Sequence, residues 1–172
     1  EKFGSDTVRR DIAAGRHLTT LAWSDTGSRS HFWAPVGTAR LDGDDAILDG
    51  SKTMVTSACE ADSYVWSTAP MAAAGVSTLW LVDSKAAGLS EAKFFDGMGL
   101  RGNRSSPLQA TALRLPVASM LGADGAAFDT MIGTVLPVFA TLIASCSIGI
   151  MDAVLEAACA HVSGSKLEHL GR

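Results

Sequence analysis

The sequence predicts an α+β fold: a short N-terminal helix, a barrel or sandwich of short strands, and then one long helix. Three observations predict it. From Leu18 to about Leu115, short runs rich in Thr, Val, Leu and Trp are separated by turn dipeptides such as Asp42-Gly43, Asp49-Gly50 and Gly102-Asn103, the punctuation of β structure. After Pro116 this pattern stops and Ala, Leu, Ile and Met take over. Within that second region, Thr130 to Met151 carries no charged residue at all.

Taken in order, SDTVRRDIAA begins with a Ser or Asp able to cap a helix and ends at Gly15, which suits the left-handed residue after one. Strands are expected at Leu18–Trp23, Val36–Leu41, Ala46–Thr56, Ser63–Thr68, Val76–Val82, Glu91–Phe95 and Gln109–Pro116, a spacing typical of a barrel or sandwich. A long helix is expected from about Ala126 to His161, kinked or divided at Pro137, which lacks a backbone donor. The charge-free run is long enough to cross a bilayer. It contains Gly133, Pro137, Gly149 and several hydroxyls and lacks basic flanks, which favours a helix buried among others over a membrane span. One small β domain cannot cover such a helix, so further helices or another subunit are implied. Cys146 and Cys159 on it are expected to be packed thiols.

Composition narrows the function. The 172 residues carry 14 Lys plus Arg against 18 Asp plus Glu, a net charge of -4, which excludes a basic nucleic-acid arm. Apolar residues make up 47% and charged residues 19%, enough to build a core and unlike a disordered chain. Cys59, Cys146 and Cys159 form no CxxC and lie far from suitably spaced histidines, so no metal site is expected and a reducing, cytoplasmic compartment fits. The opening EKFGSDTVRRDIAAGRH has neither an initiator Met nor a basic-then-apolar signal pattern, and reads as the interior of a longer chain. His17, His161 and His169 have no helical i, i+4 partner and are expected to make local contacts only.

Two stretches could carry chemistry. LAWSDTGSRSHF, Leu21 to Phe32, ends a strand in a loop dense in hydroxyls, of a kind that can bind phosphate or remain a solvated turn. DGSKTMVTSACEAD, Asp49 to Asp62, feeds a Gly turn into a strand bearing Lys52, Met54 and Thr56, and alone is only a hairpin. In this order the two resemble motifs of the acyl-CoA dehydrogenase family, of the forms YxVTEPGAGSD, matched by Leu21 to His31, and GxKxWITNG, matched by Gly50 to Ala58. GLSEAKFFDGMGLRGNRSSPL resembles the family's stretch around MGxRG, here Met98 to Gly102, and LRLPVASMLGADGAAFDTM resembles its VPxxNxLG element leading into the helical domain. The resemblance covers nearly the whole chain.

It implies the end of an N-terminal helical domain at 1–17, a β-barrel domain binding flavin and acyl-CoA at 18–118, and the start of a C-terminal helical domain at 119–172. It implies FAD as cofactor. Ser24 takes the place of the Thr that hydrogen-bonds the flavin pyrimidine ring, with Leu21 and Trp23 beside it. Met54 takes the place of the Trp packed on the isoalloxazine, and Thr56, after Val55, bonds it near the reactive nitrogen. Ser30 takes the place of the Ser that contacts the acyl-CoA substrate. The departures are Met54, which offers a thioether without ring stacking, Trp23 in place of a small apolar residue, and Arg29 and His31 in place of Gly and Asp.

The implied reaction removes the α proton of an acyl thioester by a carboxylate while the β hydride passes to flavin N5. In most members the base lies on a later part of the helical domain. Where other members place it on the first long helix, this chain reads Val138 to Leu142, with no carboxylate, and Asp129, Asp152 and Glu156 are read as solvated or capping. No catalytic residue is therefore expected in these residues. The tail, Lys166 to Arg172, matches the family's Arg-x-x-Phe-Gly turn too weakly for a role to be transferred. The expected partners are an acyl-CoA substrate, an electron-transfer flavoprotein and further copies or subunits in a dimer or tetramer. Two alternatives share the fold: a non-catalytic partner subunit of a heteromeric dehydrogenase, and a flavin-dependent monooxygenase.

Overall fold

A computed structural model of the chain describes residues 5–29, 31–58, 60–91, 95–99 and 101–165. The first helix, α1, spans Asp6–Ala13, with Ser5 as its cap: the hydroxyl accepts from Val8 N at 3.3 Å, and Asp6 sits in the first turn, where negative charge suits the helix dipole. Gly15 follows at φ +69°, the left-handed conformation that glycine adopts without steric cost.

Seven strands follow among the described residues: β1 Thr19–Ala22, β2 Thr38–Asp42, β3 Asp45–Val55, β4 Ser63–Thr68, β5 Thr78–Asp83, β6 Leu89–Glu91 and β7 Ser106–Pro116. They form two sheets, β1-β4-β5 and β2-β3-β7-β6, so among the described residues the expected barrel is an open two-sheet arrangement, the sandwich form that strand spacing also allowed. β1 runs parallel to β4, and the other pairings are antiparallel. Of the strand expected at Glu91–Phe95, only Glu91 lies in β6; residues 92–94 are outside the described residues.

One core joins the sheets. Ala22, Tyr64, Trp66, Trp80 and Val82 come from the first sheet, and Ala46, Leu48, Val55, Leu108, Leu113 and Leu115 from the second. Trp66 and Trp80 pair across β4 and β5, and Trp80 Nε1 donates to Thr68 Oγ1 at 2.9 Å, satisfying an indole N–H that burial would otherwise leave without a partner. β3 is paired on both edges, with irregular register between Leu48 and Gly50 and again between Lys52 and Val55. The second irregularity inserts an extra residue, so Lys52 and Val55 both point inward while Met54 is turned out.

The chain divides into two compact units at Thr130 and Met131. The first unit ends with α2, Ala127–Thr130. The second contains a π turn, Met131–Val135, and α3, Leu136–Gly164. Of the kink or division expected at Pro137, the structure has the division: α2 and α3 are separated by the π turn that ends just before it. Pro137 lies in the first turn of α3, directly after the π turn, whose widened backbone accommodates the proline ring and its missing N–H. By length and composition Ala127–Gly164 could cross a membrane: an 18-residue window within it has a mean hydropathy of 2.0. No described residue of α3 is buried: Val138, Leu142, Ile150, Val154 and Leu155 are all more than half exposed, and Cys146 and Cys159, expected to be packed, are exposed as well.

Candidate functional site

The two motif stretches meet directly. Leaving β1, residues Ser24 to Thr26 run antiparallel to Ser51 to Thr53 of β3: Thr26 N donates to Ser51 O at 3.0 Å, Thr53 N donates to Ser24 O at 2.8 Å, and Asp25 bridges Lys52 between them. The hydroxyls add to this seam, Thr53 Oγ1 to Ser24 O at 3.1 Å and Thr26 Oγ1 to Ser51 Oγ at 3.2 Å. A loop that could have been a solvated turn is thus a short added strand on the edge of β3.

Four of the expected cofactor residues face outward around this seam. Leu21 and Met54 are 37% and 64% exposed. Ser24 and Thr56 are exposed, and neither hydroxyl has a hydrogen-bond partner among the described residues. The other two point inward. Val55 is fully buried in the core, leaving only its backbone for a ligand, and Trp23 is 7% exposed and stacks on Phe32 with ring centroids 5.9 Å apart. The Trp23 Nε1 donor is buried without a partner among the described residues. Ser30, the expected substrate contact, is outside the described residues; beside it Arg29 holds φ +52° and His31 Nδ1 lies 3.0 Å from Ser28 O.

Beneath the seam lies a charged pair that motif matching did not assign to the site. Lys52 and Asp25 form an ion pair with side chains 0% and 2% exposed. Lys52 Nζ also donates to Ser67 O at 2.7 Å and Ser67 Oγ at 2.9 Å on β4, and lies 5.0 Å from the Trp66 ring centroid. Asp25 Oδ2 accepts from Val36 N and, at 2.8 Å, Gly37 N. Burial pushes the Lys52 ammonium down to about 8, against the opposing pull of the Asp25 carboxylate. The available signal was a lone Lys in a strand otherwise fit for the core, together with an acid following Ser24 in the stretch it pairs with.

The third stretch adjoins the end of the second. Ser57, at φ +54°, donates its N–H to Asn103 O at 2.7 Å, and Arg104 Nε pairs with Glu60 at 3.0 Å. Asp129, Asp152 and Glu156 are exposed.

A flavin ring fits what this face offers. Its carbonyls and ring nitrogens need donors and acceptors of the Ser24 and Thr56 kind, hydroxyls that nothing else engages, and its apolar body needs contacts of the Leu21 and Met54 kind.

Comparison with known proteins identifies the family. The model of the acyl-CoA dehydrogenase middle domain matches residues 20–113, more than half of the chain. The human short-chain specific acyl-CoA dehydrogenase of mitochondria is 32% identical over 164 residues, 91% of this chain but 39% of that protein's length. The crystal structure of acyl-CoA dehydrogenase from Geobacillus kaustophilus superposes with a TM-score of 0.71 at 22% identity, covering 76% of this chain and 37% of the other, a likeness of fold. A structure described as an FAD-dependent dehydrogenase is 25% identical with a TM-score of 0.67, covering 74% of this chain and 36% of its own. The chain therefore belongs to the acyl-CoA dehydrogenase family, and residues 20–113 are its middle domain.

Proposed function

We propose that this chain is the FAD- and substrate-binding part of an acyl-CoA dehydrogenase that introduces a double bond between the α and β carbons of an acyl-CoA thioester. The observation that carries the reading is the antiparallel seam between Ser24–Thr26 and Ser51–Thr53, which joins the stretch carrying the exposed, unengaged Ser24 hydroxyl to the strand that leads through exposed Met54 to the exposed, unengaged Thr56 hydroxyl. FAD supplies, when bound, the acceptor for the β hydride. Ser24 and Thr56 hold the ring by hydrogen bonds, Leu21 and Met54 cover it, Trp23 and Val55 support the backbone on which those residues sit, and Ser30 contacts the thioester. No carboxylate of this chain is given the role of base, which is assigned to a helical segment beyond these residues. The apolar faces of α3 are proposed to be covered by further helices or subunits of a dimer or tetramer, with no membrane span. Electrons would pass on to an electron-transfer flavoprotein, and the compartment would be the cytoplasm, in keeping with free rather than paired thiols.

The test is the visible spectrum of the full-length protein, recorded anaerobically before and after addition of a panel of acyl-CoA thioesters. Bleaching of the oxidised flavin band by one thioester class is the expected result and names the substrate. A protein that binds FAD but stays oxidised with every thioester would instead be the partner subunit or, if the reduced flavin consumes oxygen with substrate hydroxylation, the monooxygenase.

A further inference from the structure

We propose that the buried Asp25–Lys52 pair is the positioning device of the cofactor site, fixing the segment that carries the Ser24 hydroxyl against the segment that carries the Thr56 hydroxyl. The inference rests on the FAD reading above and names residues which that reading leaves without a role.

Asp25 directly follows Ser24, and Lys52 precedes Thr56 by one irregular stretch of β3. The backbone bonds Thr26 N to Ser51 O and Thr53 N to Ser24 O flank the pair on both sides, so the ion pair sits at the centre of the seam. A one-residue slip there would turn every side chain of the short added strand to its opposite face. Backbone bonds alone do not prevent this, since they re-form after a slip; a unique buried pair does.

The same two side chains reach further than the seam. Asp25 Oδ2 holds the N–H groups of Val36 and Gly37, where the loop returns toward β2. Lys52 Nζ holds both the carbonyl and the hydroxyl of Ser67 in the other sheet. The backbone beside the pair is closely packed: a Cβ on Gly37 would lie 3.2 Å from Asp49 O and 3.6 Å from Asp25 Oδ2, and one on Gly50 would lie 3.1 Å from Gly37 Cα. One pair thus ties both motif stretches to both sheets.

Burying two charges is expensive, and an apolar pair of similar volume often gives equal or greater stability. A pair kept under such terms is best accounted for by the register it enforces. The first-motif form quoted above has Glu where this chain has Asp25, so the longer acid at this position is compatible with the fold.

The test uses the full-length protein and four forms: the parent, Asp25→Glu, Asp25→Asn/Lys52→Met and Lys52→Met. FAD affinity is read by quenching of flavin fluorescence, the melting temperature is read without flavin, and amide hydrogen exchange is read at Thr26 and Thr53. The expected result is that Asp25→Glu binds FAD within about threefold of the parent. The neutral double variant should melt close to the parent, yet bind FAD at least tenfold more weakly and exchange the Thr26 and Thr53 amides at least tenfold faster, with Leu48 and Leu113 still protected. Lys52→Met serves as the destabilised reference, expected to lose melting temperature and FAD binding together. A double variant with parental FAD affinity, or with unchanged exchange at both amides, would overturn the proposal. If the parent itself does not bind FAD, the flavin reading fails first and this inference with it.

Discussion

Thr78 donates its hydroxyl to Asp124 Oδ1 at 2.6 Å and accepts the N–H of Gly125 at 2.8 Å, so one side chain closes a ring around the turn that precedes α2. Asp124 completes it by accepting three successive backbone N–H groups, Met71, Ala72 and Ala73, at 3.0, 2.9 and 2.9 Å. The loop between β4 and β5 is thereby fastened to the end of the β domain by one carboxylate.

Acid should release that fastening. Partial burial alone would raise the Asp124 carboxyl, but the bonds from Thr78, Ala73, Ala72 and Met71 outweigh it and hold it down to about 2. A carboxylate with a folded value below its unfolded value contributes its full stability above about pH 4 and loses it as pH falls toward 2. The expected loss is on the order of 1–2 kcal/mol once solvent screening is allowed for. Urea unfolding between pH 5 and 2.5 should show this slope in the parent and a shallower one in Asp124→Asn.

The same loop leaves no room at its glycine. Gly75 has φ +143°, and a Cβ there would lie 2.1 Å from Gly125 O, backbone against backbone. Gly75→Ala should therefore destabilise by about 2–4 kcal/mol, combining overpacking with an unfavourable backbone region. Gly43 also has positive φ, but nothing lies within 4 Å of its added Cβ, so Gly43→Ala is expected to cost only about 1 kcal/mol. Equal losses in parallel unfolding curves would contradict the steric account.

Charge should matter by location. Lys52→Ala strands Asp25 in the core and is expected to cost about 3–5 kcal/mol. Arg114 pairs with Asp42 and Asp45 on the surface, with a side chain 51% exposed, and Arg114→Ala should leave the unfolding midpoint nearly unchanged. A comparable shift in both variants would show that burial is not what distinguishes the pairs.

Most strands were legible because their patterning is local: β3 follows the Asp42-Gly43 turn and β7 follows Gly102-Asn103, whereas Asp49-Gly50, expected to be a turn, lies inside β3. Sheet membership was not. The parallel pairing of β1 with β4 joins Thr19 to Ser63 and Ala22 to Trp66, contacts that no short window contains. The two motif stretches could be read as neighbours through family resemblance, and Ser24, Met54 and Thr56 are exposed in them. The Asp25–Lys52 pair was hidden because a buried Lys reads as an exposed one until its partner is found. Trp23 and Val55 were assigned to a ligand by position, although their side chains belong to the interior. Pro137, expected to kink the helix or divide it in two, stands where α3 begins after the π turn that separates it from α2.

The departure at Met54 gives the most direct probe of the flavin reading. Its side chain is turned out by the irregular stretch of β3 and is 64% exposed, so an aromatic ring placed there displaces no core residue. If this face covers the isoalloxazine, Met54→Trp adds a stacked aromatic contact worth about 0.5–1.5 kcal/mol, which tightens FAD binding roughly two- to tenfold. Thr56→Ala removes a hydroxyl from the same face and should weaken binding about fivefold, the equivalent of one net hydrogen bond near 1 kcal/mol. Neither variant touches the core, so melting temperatures without flavin should match the parent. Opposite changes in FAD affinity at matched stability are the expected outcome of the fluorescence titration; unchanged affinity in both would mean that the ring lies elsewhere.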